Sequence, residues 1–121
     1  MSFELITLAV LLQIKHWYID FANQTKEEIA NKGIYGNMIG MTHSIKHGIG
    51  TLLCILSITG QGYFLYAFIL ALIDFAFHYH IDYVKMKYGN RDNTTSVYWN
   101  HFGLDQMCHQ LTYLFILTMV F

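Results

Sequence analysis

The chain has no proline, two cysteines in 121 residues and few charges, with Asp, Glu, Lys and Arg making up only 12%. The charges nearly cancel, seven basic against eight acidic residues, for a formal net of −1. No basic stripe is present to neutralise phosphates, which excludes the electrostatic footprint of a nucleic-acid-binding protein. Low charge together with 17% aromatic residues excludes general disorder. Cys54 falls inside an apolar run and Cys108 off the polar face of its segment, so both read as small buried hydrophobes and not as a disulfide. H-E-x-x-H, G-x-S-x-G and a phosphate loop are all missing. Glu4 stands where a cleavable signal would carry basic residues, and no A-x-A-like site follows, so the N-terminal run reads as a retained helix.

What the chain does have is apolar length. Hydrophobic residues make up 55% of it, concentrated in four segments at about 3–21, 41–59, 63–83 and 103–121. Each approaches the ~20 residues that a helix needs to cross ~30 Å of hydrocarbon. Stretches such as "LITLAVLLQI" and "YFLYAFILALI" offer none of the polar face that a soluble helix presents to water. The expected fold is therefore all-α: one domain, residues 1–121, forming an integral membrane antiparallel four-helix bundle.

Lys26 and Lys32 lie in the first loop and Lys87 and Arg91 in the third, with Lys15, Lys46 and Lys85 at helix ends beside those loops. The second loop, "SITGQGY", is uncharged. The positive-inside rule then puts loops one and three in the cytoplasm. In loop one, Thr25 and Glu28 form a capping-box pattern that predicts a short interfacial helix over 26–31, ended by Gly33. Glycines 36, 40, 48 and 50 read as loop or close-packing positions.

Ionisable residues recur in steps of four at the ends of the apolar segments: His16 and Asp20, with Gln24 beyond; His43 and His47; Asp74, His78 and Asp82; His101, Asp105 and His109. On helices each set lines one face. The predicted topology brings all four faces to the cytoplasmic end, as four walls of one polar site. A lone membrane histidine is more often a packed or hydrogen-bonded residue than a ligand, and a register-fixing polar network is the plain alternative. Four stripes at one depth favour function, because buried Asp and His are costly in lipid. Imidazole with carboxylate suits zinc, manganese or iron. The expected ligands are His16, Asp20, His43, His47, His78, Asp82, Asp105 and His109, holding one or two divalent transition-metal ions, zinc first. His80 points away from the stripe, and Asp74, the deepest group, suits the role of orienting a histidine.

The segments "HWYIDFANQ", "THSIKHG", "HYHIDYVK" and "LDQMCHQLT", in that order, resemble domain-of-unknown-function family 3307, small bacterial and phage membrane proteins. The matching positions are His16, Asp20 and Gln24; His43 and His47; His78, Asp82 and Lys85; and Asp105, Gln106 and His109. The resemblance spans nearly the whole chain. It implies four helices in a bacterial inner membrane and brings no activity of its own, though its pattern is similar to that of membrane-bound metal-dependent hydrolases.

Three classes of function follow. A hydrolase would use the ion to activate water and polarise a phosphoryl or carbonyl oxygen of a lipid headgroup or other amphiphile reached from the inner leaflet. Asp20 or Asp82 would be its general base, and Lys85 would steady an anion. A small phage or bacterial membrane effector would use the metal only as a staple. A metal-ion or proton transporter would need polar groups through the whole bilayer, yet residues 5–13, 52–59, 64–73 and 111–121 contain no ionisable acid, base or histidine. The lipid bilayer is the expected partner. No nucleic acid is expected, and a homo-oligomer, with a pore between subunits, stays open.

Overall fold

A computed structural model describes all 121 residues. The Ser2 hydroxyl accepts the Leu5 N–H at 3.1 Å and starts α1 (Phe3–Trp17). A π-helical turn, Tyr18–Ala22, continues it. The Thr25–Glu28 capping box forms as predicted and opens α2 (Lys26–Asn31), with Lys32 as its C-cap. Asn37 caps α3 (Met38–Thr59) by accepting the N–H groups of Ile39 and Gly40. A single 3₁₀ turn, Gln61–Tyr63, leads into α4 (Phe64–Tyr88), and the Thr95 hydroxyl caps α5 (Ser96–Val120). The protein is all-α, with five α-helices and no strand. Helix α5 starts seven residues ahead of the expected apolar boundary because Thr95, not the first apolar residue, supplies the cap.

Each long helix turns one stripe inward, and every stripe changes from apolar to polar along its length. On α1 it runs Leu8, Leu12, Lys15, His16; on α4 it runs Ala67, Leu70, Asp74, His78, Asp82. On α3 and α5 the order reverses, from His43 and His47 to Ile55 and from Asp105 and His109 to Ile116. Consecutive long helices therefore alternate in direction. One end of the interior is an apolar cluster built on Leu8, Leu12, Ile55, Leu70 and Ile116, and the other is a cluster of histidines and carboxylates.

The burial pattern is inverted relative to that of a water-soluble protein. Fifteen of the 28 buried residues are polar or charged, while 35 large hydrophobic side chains are exposed. Two helical stretches, Phe3–Ala22 and Gln61–Tyr88, are long and apolar enough to cross a membrane, where the sequence predicts four. The other two, α3 and α5, have the length, at 22 and 25 residues, but carry the site's own polar side chains.

Glycines at close approaches set the spacing. A Cβ at Gly50 would lie 2.6 Å from Lys15 Cγ, and one at Gly40 would lie 2.5 Å from the Asn31 carbonyl of α2. Gly48 faces the Ala71 carbonyl of α4 at 3.2 Å from such a Cβ, so these three are packing positions, while Gly36 takes a loop φ of +77°.

Candidate metal centre

The π turn is the local feature that aims Asp20. Its wider coil follows directly on Trp17, two residues after His16, and single π turns in α-helices are concentrated at functional sites. Asp20 Oδ1 sits 2.9 Å from His43 Nε2, 2.8 Å from His47 Nε2 and 3.5 Å from His78 Nε2. Its other oxygen lies 3.3 Å from His16 Nε2. One carboxylate is thus ringed by four imidazoles from three helices.

Asp82 forms the second focus. Its Oδ1 is 3.2 Å from His109 Nε2, and its Oδ2 lies 3.4 Å from His78 Nε2, 3.6 Å from His43 Nε2 and 2.7 Å from Lys32 Nζ. Asp105 follows at the rim, 3.4 Å from His109 Nε2 and 2.9 Å from Lys85 Nζ. The rings of His47, His78 and His109 stack in series, with centroids 3.5 Å and 4.0 Å apart. His43, His47, His78 and His109 are each at most 1% exposed.

All eight predicted ligands therefore join one connected cluster. Six of them offer donor atoms within 4.8 Å of one another, in two groups that share His78: Asp20, His43, His47 and His78, and His78, Asp82 and His109. These buried groups could hold a metal ion. His16 and Asp105 stand beside the groups, each with another partner, since His16 Nε2 meets Gln106 Oε1 at 2.8 Å and Asp105 accepts from Lys85. His80 lies outside, against Tyr35 and the Ala76 carbonyl, and His101 is held by the Asn90 N–H.

Charge pairing separates these carboxylates. Asp74 pairs with Lys15, Asp82 with Lys32, Asp105 with Lys85 and Glu28 with Lys46. Asp20 alone has no lysine, only histidines. A buried charge without a partner is costly, so this position demands a cation, either a proton on an imidazole or a metal ion. Both ring nitrogens of His78, along with His43 Nδ1 and Asp105 Oδ1, also lack a hydrogen-bond partner. Buried polar atoms are nearly always satisfied, and an ion between Asp20 and Asp82 would account for His78 Nε2, which lies 3.5 Å and 3.4 Å from their oxygens.

Several participants were not singled out as site residues by the sequence reading. Lys15, expected at a helix end beside a loop, points inward and donates to Asp74 at 2.9 Å and to Tyr113 at 3.1 Å, with His47 Nδ1 at 3.3 Å. Thr51 donates to the same Asp74 oxygen, and Tyr113 also meets His16 Nδ1 at 2.8 Å. Lys15 thus stands between Asp74 and His47. Thr51 and Tyr113 were legible as one more step of four beyond His47 and His109. Helix α2 covers the cluster from outside: Lys32 reaches Asp82 and also donates to Gln24, while Glu28 pairs with Lys46 at 2.6 Å. Burial acts to raise the Glu28 carboxyl, but Lys46 and the Thr25 N–H outweigh it and hold the group below the usual glutamate range.

The fold and site define an all-helical protein built around a buried histidine–aspartate cluster. The sequence model of the family described as "Protein of unknown function (DUF3307)" matches residues 6–121, and the chain belongs to that family. No curated protein and no solved structure matches it.

Proposed function

We propose that the cluster binds a divalent transition-metal ion, zinc in the first instance, and that the protein is an integral membrane hydrolase acting on a lipid headgroup or similar amphiphile. The observation that carries the reading is Asp20, the one buried carboxylate that no lysine neutralises, with three imidazole Nε2 atoms within 3.5 Å of a single oxygen. Donors around one such ion, at ~2.0–2.1 Å bonds, are spaced by roughly 3.0–3.4 Å, so small side-chain shifts would suffice. The charge count favours one ion over two. Asp20, Asp74, Asp82 and Asp105 face Lys15, Lys32 and Lys85, which leaves a single unpaired negative charge.

Membrane integration is supported by the inverted burial pattern: apolar side chains cover the exterior and the charges lie within. All four long helices span the bilayer on this reading, with α2 lying at the interface and loops one and three cytoplasmic.

A bound divalent ion would supply Lewis acidity and an activated water. The chain's own residues divide the remaining work. His43, His47 and His78 join Asp20 as ligands, and the Tyr113 hydroxyl, 3.5 Å from His47 Nδ1, can accept the proton that a metal-bound His47 carries there. Asp82, tied to Lys32 and His109, is the proton acceptor once its lysine swings away. Lys85 steadies the anion at the rim. A structural-staple reading rests on a different observation, the near-complete burial of the histidines: the larger cavities reach Lys32, Lys85 and Asp105 but not the Nε2 atoms of His43, His47 and His78.

The test uses purified protein in phospholipid vesicles, stripped by chelation and reloaded with zinc, manganese or iron(II). Headgroup release that depends on the ion and is lost in Asp20→Asn supports the hydrolase. Ion binding without any release leaves the staple.

A further inference from the structure

Three cavities lie along α4 and α5, each sharing two wall residues with the next. A mouth of about 350 Å³ is lined by Lys32, Lys85, Arg91 and His101. Lys85 and His101 also line a groove of about 450 Å³ between α4 and α5, whose other walls include Ile81, Val84, Leu104 and Cys108. Ile81 and Cys108 in turn line its continuation of about 360 Å³, which reaches Phe77 and Phe115. The series begins among cations and ends along apolar side chains.

We propose that this series seats one phosphate-bearing membrane lipid, its phosphate against Arg91, Lys85 and His101 and one acyl chain in the α4–α5 groove. The inference rests on the hydrolase reading and names its substrate class. Charge complementarity selects the headgroup. Arg91 donates from Nη2 to the Met86 carbonyl at 2.6 Å and pairs with no carboxylate, which leaves guanidinium donors for a phosphate. Groove length selects a lipid over a soluble phosphate. From His101 to Phe115 along α5 is about 21 Å at 1.5 Å per residue, enough for a chain filling half of a ~30 Å hydrocarbon core. Lys85 connects the two parts, since its Nζ lies 2.9 Å from Asp105 Oδ2 and Asp105 Oδ1 lies 3.4 Å from His109 Nε2. A phosphate at Lys85 is therefore one side chain from the histidine cluster.

The experiment reads binding, independent of turnover. The full chain is reconstituted in phosphatidylcholine vesicles containing phosphatidic acid with a photoreactive diazirine on one acyl chain. Cross-links should concentrate on 77–84 and 104–115. Diacylglycerol with the same chain should label about tenfold less, the factor carried by about 1.4 kcal/mol of charge-assisted contact. Arg91→Ala should bring phosphatidic acid down to the diacylglycerol level, and Leu104→Trp should clear the label from α4 and α5. Both variants should keep the wild-type melting temperature in detergent, which shows that they are folded. Equal labelling by the two lipids, or label spread evenly over the outer faces of α1 and α3, overturns the proposal. The two readings separate cleanly: a metal-free protein that still labels α4–α5 retains the lipid site and loses the hydrolase.

Discussion

Lys15 Nζ lies 2.9 Å from Asp74 Oδ2, with both side chains almost sealed, between the apolar cluster and the histidines. The pair is closed on its other sides by Thr51 and Tyr113. Removing one partner strands the other as an uncompensated buried charge. Lys15→Met should therefore destabilise the protein by about 3–5 kcal/mol in reversible unfolding in detergent. The double variant Lys15→Met with Asp74→Leu should recover most of that loss. Additive losses in the double variant would show that the two charges do not act as a pair.

Chelation should lower the melting temperature in detergent. An ion that binds only the folded state stabilises it by mass action, by about 2.7 kcal/mol at a hundredfold excess over its dissociation constant. On the proposed centre its ligands would come from the π turn after α1, from α3 and from α4, so the stabilisation should be global, with a single transition shifting. An unchanged melting curve after confirmed ion loss would rule out any role of the ion in holding the helices.

Most of the site was legible from periodicity alone. Steps of four put His43 with His47 and His78 with Asp82 on inward faces, and the structure brings all eight predicted ligands into one cluster. Period could not show which carboxylate lacks a counter-charge, because Lys15, Lys32 and Lys85 reach their partners across tertiary distances of 59, 50 and 20 residues. Nor could it foresee the π turn that aims Asp20. The helical class was also legible, since the capping box at Thr25–Glu28 and the apolar runs are local signals. The four spans were less so: only Phe3–Ala22 and Gln61–Tyr88 are long and apolar enough to cross a membrane, while α3 and α5 give part of their length to polar cluster residues. Lys15 misled the reading of loop charge, since a lysine near a helix end resembles a topology signal whether it faces water or an aspartate.

Reporter fusions check the membrane reading. Fusions after Asn31 and after Asn93 should both report the cytoplasm, and one after Gly62 the outside. Opposite readings at Asn31 and Asn93 would mean that α3 or α4 does not cross.

Histidine replacements divide the cluster from its surroundings. His47→Ala removes a donor from the Asp20 group and should abolish ion binding. His109→Ala should weaken it, by removing the imidazole that holds Asp82 at 3.2 Å. His80→Ala, which removes a ring hydrogen-bonded to Tyr35 and the Ala76 carbonyl outside the cluster, should leave ion content unchanged. Full ion occupancy in both the His47 and His109 variants would replace the metal centre with a hydrogen-bonded polar network.

The ion content of the detergent-purified protein, measured by elemental analysis beside Asp20→Asn, tests the central claim most directly. Asparagine keeps the shape and removes the one buried negative charge that no lysine balances. The account predicts one equivalent of a divalent transition metal per wild-type chain and none in the variant. A wild-type protein that binds no ion after exposure to zinc, manganese and iron(II), or an Asp20→Asn protein that keeps its full equivalent, would contradict it.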